Sequence, residues 1–313
     1  MIRLGLRTRL TIAHRWPILL ALCFLLIAGI ACGESSTSTP APTPTPALFP
    51  LTVVDTNGAV VTFDEPPTRI VAYDAITVEI LYAIGEEERI VGTHDFVTYP
   101  PEVESLPKLG DYFQPNTERI VEAQPDLVSI WFSSAVPELE QLGLKVLYMD
   151  EPASVEGIPE RIRTWGRITG SIEEAEVVAE RFEMRVQELL GRLASLEEGP
   201  RVFHDSSDFF TPGPDTIVGQ VYSLLKAQNI AHDVSGYGQL SIETIVERDP
   251  QVIITTFPDR PPAILSHPAL QDVSAVKEGR VVTIDPGLIS VAGPRYVEAM
   301  EELARLIYPD LFP

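Results

Sequence analysis

The sequence predicts an α/β protein of two related lobes joined by a long helix. Three observations carry this. Short β-branched runs alternate with helical patterns from residue 66 onward, which argues for parallel sheets with covering helices. A stretch near the middle, SIEEAEVVAERFEMRVQELLGRLASLEEGP over 171–200, is the one long helical pattern. Across it a motif repeats: ERIVEAQPDLV at 118–128 and ETIVERDPQVI at 243–253 share Glu, Ile-Val-Glu, Pro and a following apolar run.

Each element has a local reason. Residues 51–63, LTVVDTNGAVVTF, read as a hairpin turned at Asn57-Gly58. In the first lobe, RIVAYD is a strand, followed by a helix through Leu81 that Gly85 ends. RIVGTHD, DLVSIWF and KVLYMD are further strands, with helices at 116–124, 135–142 and up to about Ile168 between and after them. The connecting helix starts at a capping box, Ser171 with Glu174, and stops at Gly199-Pro200. Val178, Phe182, Leu189, Leu193 and Leu196 place one apolar stripe along about 40 Å of helix. The second lobe reads RVFHDS, a helix from Thr216 to Gln228, the second repeat copy, QVIITTF, a helix over 268–276, RVVTID and a last helix over 294–307. Each repeat copy is a capped short helix (Asn116, Ser241) broken by Pro125 or Pro250 and continued as a buried strand.

At 313 residues with 45% hydrophobic content the chain can bury two cores. The formal charge is −22. Residues 1–31 hold four arginines and no acid, so without them 19 basic residues face 45 acidic ones, giving −26. So acidic a chain repels nucleic acid and anionic lipid surfaces. Those 31 residues form a basic region, the apolar run PILLALCFLLIAGIA and a small-residue site ending at Cys32, as in a secretory signal. GIAC resembles the lipobox of bacterial lipoproteins, with Gly29 in place of the usual leucine, and implies a lipid anchor on Cys32. The Ser/Thr/Pro tract over 32–49 reads as an extended tether. Cys23 leaves with the signal, so one cysteine remains and no internal disulfide is expected.

Ligands of open α/β sheets bind outside the carboxyl ends of the strands. The residues there are Tyr73 and Asp74; His94, Asp95 and Phe96; Trp131 and Phe132; Met149 and Asp150; His204 and Asp205; Phe257; and Asp285, with Tyr99 and Tyr237 in neighbouring loops. So many rings suit a large flat ligand oriented by a few polar groups. The histidine and carboxylate strand ends lack metal-site spacing, so no metal site or cofactor is expected. No nucleophile elbow, zincin motif, P-loop or CxxC occurs, and no enzymatic activity is expected. Glu118 and Glu243 occupy the same place in the two repeat copies, each in the first turn of its helix, where the helix dipole favours a carboxylate. One matched carboxylate per lobe also offers two grips to an arginine-bearing partner.

The segments PPTRIVAYDAITVEILYAIGEEERIVGTHDFVTYPPEV, LPKLGDYFQPNTERIVEAQPDLV, LSIETIVERDPQVII and AGPRYVEAMEELARLIYP, with the 171–198 helix, resemble the helical-backbone (class III) substrate-binding proteins of ABC importers for iron-siderophores and vitamin B12. The resemblance covers nearly everything from residue 50. It implies two Rossmann-like lobes (50–170 and 200–313) with mainly parallel sheets, joined by one rigid backbone helix (171–199), and a ligand cleft between them. It further implies ABC permease and ATPase partners, a monomeric extracytoplasmic receptor, and docking of the permease at Glu118 and Glu243. YPPE and the aromatic strand ends look most like the cobalamin-binding branch, with siderophores and haem as further ligands and His94 or His204 able to approach a bound metal axially. A free divalent-ion (Zn or Mn) receptor and a chelatase-like metalloenzyme are the rival readings on the same fold.

Overall fold

A computed structural model describes residues 48–312. The signal segment, Cys32 and the tether up to residue 47 lie outside them. Among the described residues no helix is long and apolar enough to cross a membrane.

The described residues open with the expected hairpin, β1 (Leu51–Val54) and β2 (Val60–Phe63), paired antiparallel with Val54 opposite Val60. Gly58 takes φ +83 in the turn, a conformation glycine adopts without cost. The first lobe follows as β3 (Ile70–Tyr73), α1 (Ala75–Ala83), β4 (Ile90–Gly92), α2 (Thr117–Glu122), β5 (Leu127–Ile130), α3 (Val136–Gln141), β6 (Val146–Tyr148) and α4 (Gly157–Thr169). After α5 (Ile172–Arg192) come β7 (Arg201–Asp205), β8 (Phe210–Pro212), α6 (Ile217–Leu224), β9 (Gln228–Asn229), β10 (Tyr237–Gln239), α7 (Ile242–Arg248), β11 (Val252–Thr255), α8 (Arg260–Ser266), α9 (Ser274–Lys277), β12 (Val281–Thr283), α10 (Pro286–Ile289) and α11 (Tyr296–Ile307).

Two separate four-stranded parallel sheets result, ordered β4-β3-β5-β6 and β12-β11-β7-β9. Numbered within its lobe and read from the second-strand edge, each sheet runs second, first, third, fourth. The repeat seen in sequence is therefore a repeat of topology. The match reaches single atoms. Asn116 caps α2 by accepting from Arg119 N (3.0 Å), and Ser241 caps α7 by accepting from Thr244 N (3.2 Å). Gln124 and Asp249, each just before the repeat proline, both take positive φ (48° and 42°). Arg69 donates to the carbonyls of Gln124 and Ala123 at the end of α2, and Arg201 donates to those of Arg248 and Asp249 at the end of α7.

Side chains alternate across each sheet, as a pleated strand requires. Ile70 and Ala72 of β3 face a core shared with α5, Trp165, Tyr222 and Met300, while Val71 and Tyr73 face a second cluster with Ile120 and Leu139. The third cluster, around Phe203, Ile253 and Leu270, covers the opposite face of the second sheet. The stripe on α5 meets the shared core through buried Phe182, Leu189 and Leu193, with Val178 and Leu196 packed at its edge. Arg163 of α4 is paired with Glu176 and Glu183 of α5, and Arg185 of α5 with Glu298 and Glu301 of α11. Such half-exposed pairs are worth about 0.2–1 kcal/mol each, so they orient the connecting helix while apolar packing holds it.

Several expectations are corrected. The connecting helix ends at Arg192, short of Gly199, and spans about 32 Å. No capping box forms at Ser171, whose hydroxyl donates to Glu86 instead. The 216–228 helix stops at Leu224 because Lys226 turns to φ +60, its carbonyl accepts from Gly199 N (2.8 Å), and Gln228-Asn229 becomes the edge strand beside β7. Strand pairing here overrides helix propensity. The 268–276 helix is a 3-10 turn followed by α9, and α8 was unforeseen, its Pro261-Pro262 sitting in the first turn where proline is tolerated.

Candidate functional site: a cleft walled by both lobes

The carboxyl ends of β3, β4 and β5 deliver Asp74, His94 and Trp131 to a hollow of about 230 Å³, joined by Phe96, Tyr112, Glu151 and Ser290. A second hollow of about 380 Å³ is walled by His204, Phe210, Tyr237, Phe257 and Tyr296, again with Tyr112, Glu151 and Ser290. The shared residues make the two hollows one cleft with a wall from each lobe. Hollows of 500, 490 and 480 Å³ open within single lobes, but Tyr82 is the one Phe, Tyr or Trp among their linings, whereas seven line the cleft. Ring surface is what a bulky apolar ligand needs, which singles out the cleft.

Asp74 is almost wholly buried. It caps α1 by accepting from Thr77 N (2.6 Å) and accepts a second bond from the Ser129 hydroxyl (3.2 Å). Burial raises its pKa above the usual carboxylate range, against those hydrogen bonds and the nearby Arg161. Glu151 at the mouth is raised chiefly by desolvation, then by the like charges of Asp150 and Asp74. His94 is buried with Nδ1 accepting from the Phe96 backbone N–H (3.1 Å) and Nε2 without a partner. Burial, then the charge of Lys108, pushes its pKa down to about 4, against the pull of Asp95. Trp131 stacks on Tyr112 (centroids 4.5 Å apart, planes at 30°) and leaves its Nε1 unpartnered. Phe96, 67% exposed, and Phe113, 66% exposed, stand at the rim.

Other expected residues sit differently. Tyr73 is fully buried, its hydroxyl donating to the Asp111 carbonyl (2.6 Å), and its ring packs near His94 and Phe132. Phe132 packs edge-on to Trp131 in the same cluster and is not on the cleft wall. Tyr99 lies under the Arg295 guanidinium, 3.2 Å from its ring centroid. Asp285 caps α10 by accepting from Gly287 N (2.7 Å) and lines neither hollow. His204 has both ring nitrogens engaged, Nδ1 with the Tyr222 hydroxyl (2.5 Å) and Nε2 with that of Thr256 (3.0 Å). It therefore has no free nitrogen for axial approach to a metal. Among the described residues no group of three or more His, Cys, Asp or Glu comes together to hold a metal ion. Tyr112, Glu151, Phe210, Ser290 and Tyr296 were missed. Tyr112 lies in a loop beyond a strand end and Phe210 opens β8 a few residues beyond β7, where the same search for rings could have found them.

Glu118 and Glu243 both stand exposed in the first turns of α2 and α7, the matched helices of the two lobes.

Two parallel α/β lobes joined by one helix, with an aromatic cleft between them, define a two-lobed ligand-binding protein of the helical-backbone class. The chain belongs to the periplasmic binding protein family, which it matches over residues 70–288. It is 32% identical over 276 residues to an uncharacterized ABC transporter substrate-binding lipoprotein, YvrC, of Bacillus subtilis (85% of this chain, 88% of that protein). It is 30% identical over 275 residues to a cobalamin-binding protein of Halobacterium salinarum (83% and 74%). The crystal structure of the periplasmic vitamin B12 binding protein BtuF of Vibrio cholerae superposes with a TM-score of 0.69 at 26% identity, covering 77% of this chain and 97% of that one.

Proposed function

We propose that the protein is the lipid-anchored, extracytoplasmic receptor of an ABC importer, capturing a corrinoid in its cleft and handing it to the permease without catalysing a reaction. The observation that carries this is the cleft itself, where seven aromatic rings from both lobes face one space, a lining suited to a bulky ligand. The acidity of the chain favours a ligand without strong negative charge, and the relatives named for cobalamin point the same way. Trp131, Tyr112 and Phe96 form one wall of the grip, and Tyr237, Phe257, Phe210 and Tyr296 the other. Glu118 and Glu243 are the permease contacts, one per lobe, and Cys32 carries the anchor.

The test is the visible absorption of purified protein after exposure to cyanocobalamin, haemin and a ferric hydroxamate siderophore, followed by gel filtration. Retention of the cobalamin spectrum at one equivalent is expected. Retention of haemin or the ferric chelate alone would reassign the ligand, and retention of none would overturn the reading.

A further inference from the structure

His94 and Trp131 sit on the same wall of the cleft, just beyond β4 and β5, the two strands that flank β3, and each has an unpartnered buried ring nitrogen. The proton on His94 can be placed from its surroundings. Nδ1 accepts from Phe96 N–H, so a neutral ring must carry its hydrogen on Nε2, as the partner of one ring nitrogen fixes the tautomer of the other. A protonated Nε2 has no lone pair. His94 is thus a hydrogen-bond donor in this fold and is barred from metal ligation unless the Phe96 contact breaks. The Trp131 indole is a donor by nature.

Buried donors without partners cost free energy, so a wall that keeps two of them is arranged for something that accepts. The ring of Tyr112 packs against both, 4.5 Å from Trp131 and 5.1 Å from His94 with planes 78° apart. The surroundings then select among acceptors. Asp74 and Glu151 line the same hollow, and the whole chain is strongly acidic, which opposes a ligand carboxylate.

We infer that His94 Nε2–H and Trp131 Nε1–H form a two-donor subsite, beside Tyr112, that takes the uncharged carbonyl oxygen of an amide on the ligand rim in preference to a carboxylate or a metal centre. This deepens the corrinoid reading and rests on it, because a corrinoid rim carries amides where haem carries carboxylates. A ligand seated there displaces Tyr112 from the two donors and gives them the acceptors they lack.

The experiment uses the processed full chain in three arms. Nitrogen-15 spectra of histidine-labelled protein at neutral pH should show the His94 proton on Nε2, with its signal moving when cyanocobalamin is added. His94→Phe should weaken cyanocobalamin binding about tenfold, the loss of one neutral hydrogen bond, while His94→Gln, which keeps a donor, should recover most of it. Among cyanocobalamin monocarboxylates, in which one rim amide is hydrolysed, at least one should bind more weakly than the parent. A proton on Nδ1, or unchanged affinity in His94→Phe, or equal binding of every monocarboxylate would overturn the subsite while leaving the corrinoid reading intact. Failure of the wild-type protein to bind cyanocobalamin would overturn both.

Discussion

The Glu79 carboxylate in α1 accepts from Nη2 of Arg295 at 2.6 Å, joining residues 216 positions apart. Arg295 lies at the same time over the ring of Tyr99, so one side chain ties α1 and the Tyr99 loop of the first lobe to the entry of α11. Glu79 is only 4% exposed, and its pKa is raised by burial against the pull of Arg295.

Removing Arg295 alone would strand a buried carboxylate. Arg295→Ala is expected to destabilise the protein by about 3 kcal/mol, whereas the double change Glu79→Gln with Arg295→Met should recover most of that. Urea unfolding of the three proteins measures both. An Arg295→Ala variant as stable as the wild type would show that the pair does not hold the lobes.

The matched helices carry a functional expectation. Charge reversal of both Glu118 and Glu243 should abolish uptake in cells while leaving ligand affinity unchanged, since neither residue lines the cleft. Single reversals should give intermediate uptake. A loss of affinity in the purified double variant would refute the docking role.

For the anchor, Cys32→Ala should move the protein from the membrane fraction to the soluble fraction, read by immunoblot after fractionation. Persistence in the membrane would exclude lipidation at Cys32.

Two buried histidines make stability depend on pH. Burial pushes both His94 and His204 down to about 4, from the ordinary 6.5. Between those values the unfolded chain binds protons that the folded chain refuses, so stability rises with pH and is lost as pH falls from 6.5 towards 4. Each histidine accounts for on the order of 3 kcal/mol of that loss. Asp74 and Glu79, whose pKa values burial raises, act in the opposite sense and offset part of it. The slope of unfolding free energy between pH 6.5 and 4.5 should be shallower in His204→Asn by up to one proton. An identical slope would show that His204 does not titrate in this way.

Much of the fold could be read from residue order because its signals are local. Asn116 and Ser241 announce their helices by capping them, and β-branched runs such as QVIITTF announce buried strands. What failed was decided by distant partners. Ser171 looks like a cap until Glu86 takes its hydroxyl, and KAQN looks helical until Gln228-Asn229 meets β7. In the cleft the same division holds. Strand ends placed Asp74, His94 and Trp131 on the wall, but Tyr73 and Tyr99 were occupied by Asp111 and Arg295, contacts no spacing reveals. Tyr112 and Tyr296 reach the cleft from positions set by the packed lobes.

The central claim is that a bulky ligand is gripped by both lobes at once. Equilibrium titration of cyanocobalamin against the wild type, Trp131→Ala and Tyr237→Ala tests it most directly, with one ring removed from each wall. The account predicts saturable one-to-one binding that weakens at least about tenfold in either variant, as loss of a stacked ring requires. Binding indifferent to both substitutions, or stoichiometric uptake of Zn or Mn in place of any chromophoric ligand, would contradict it.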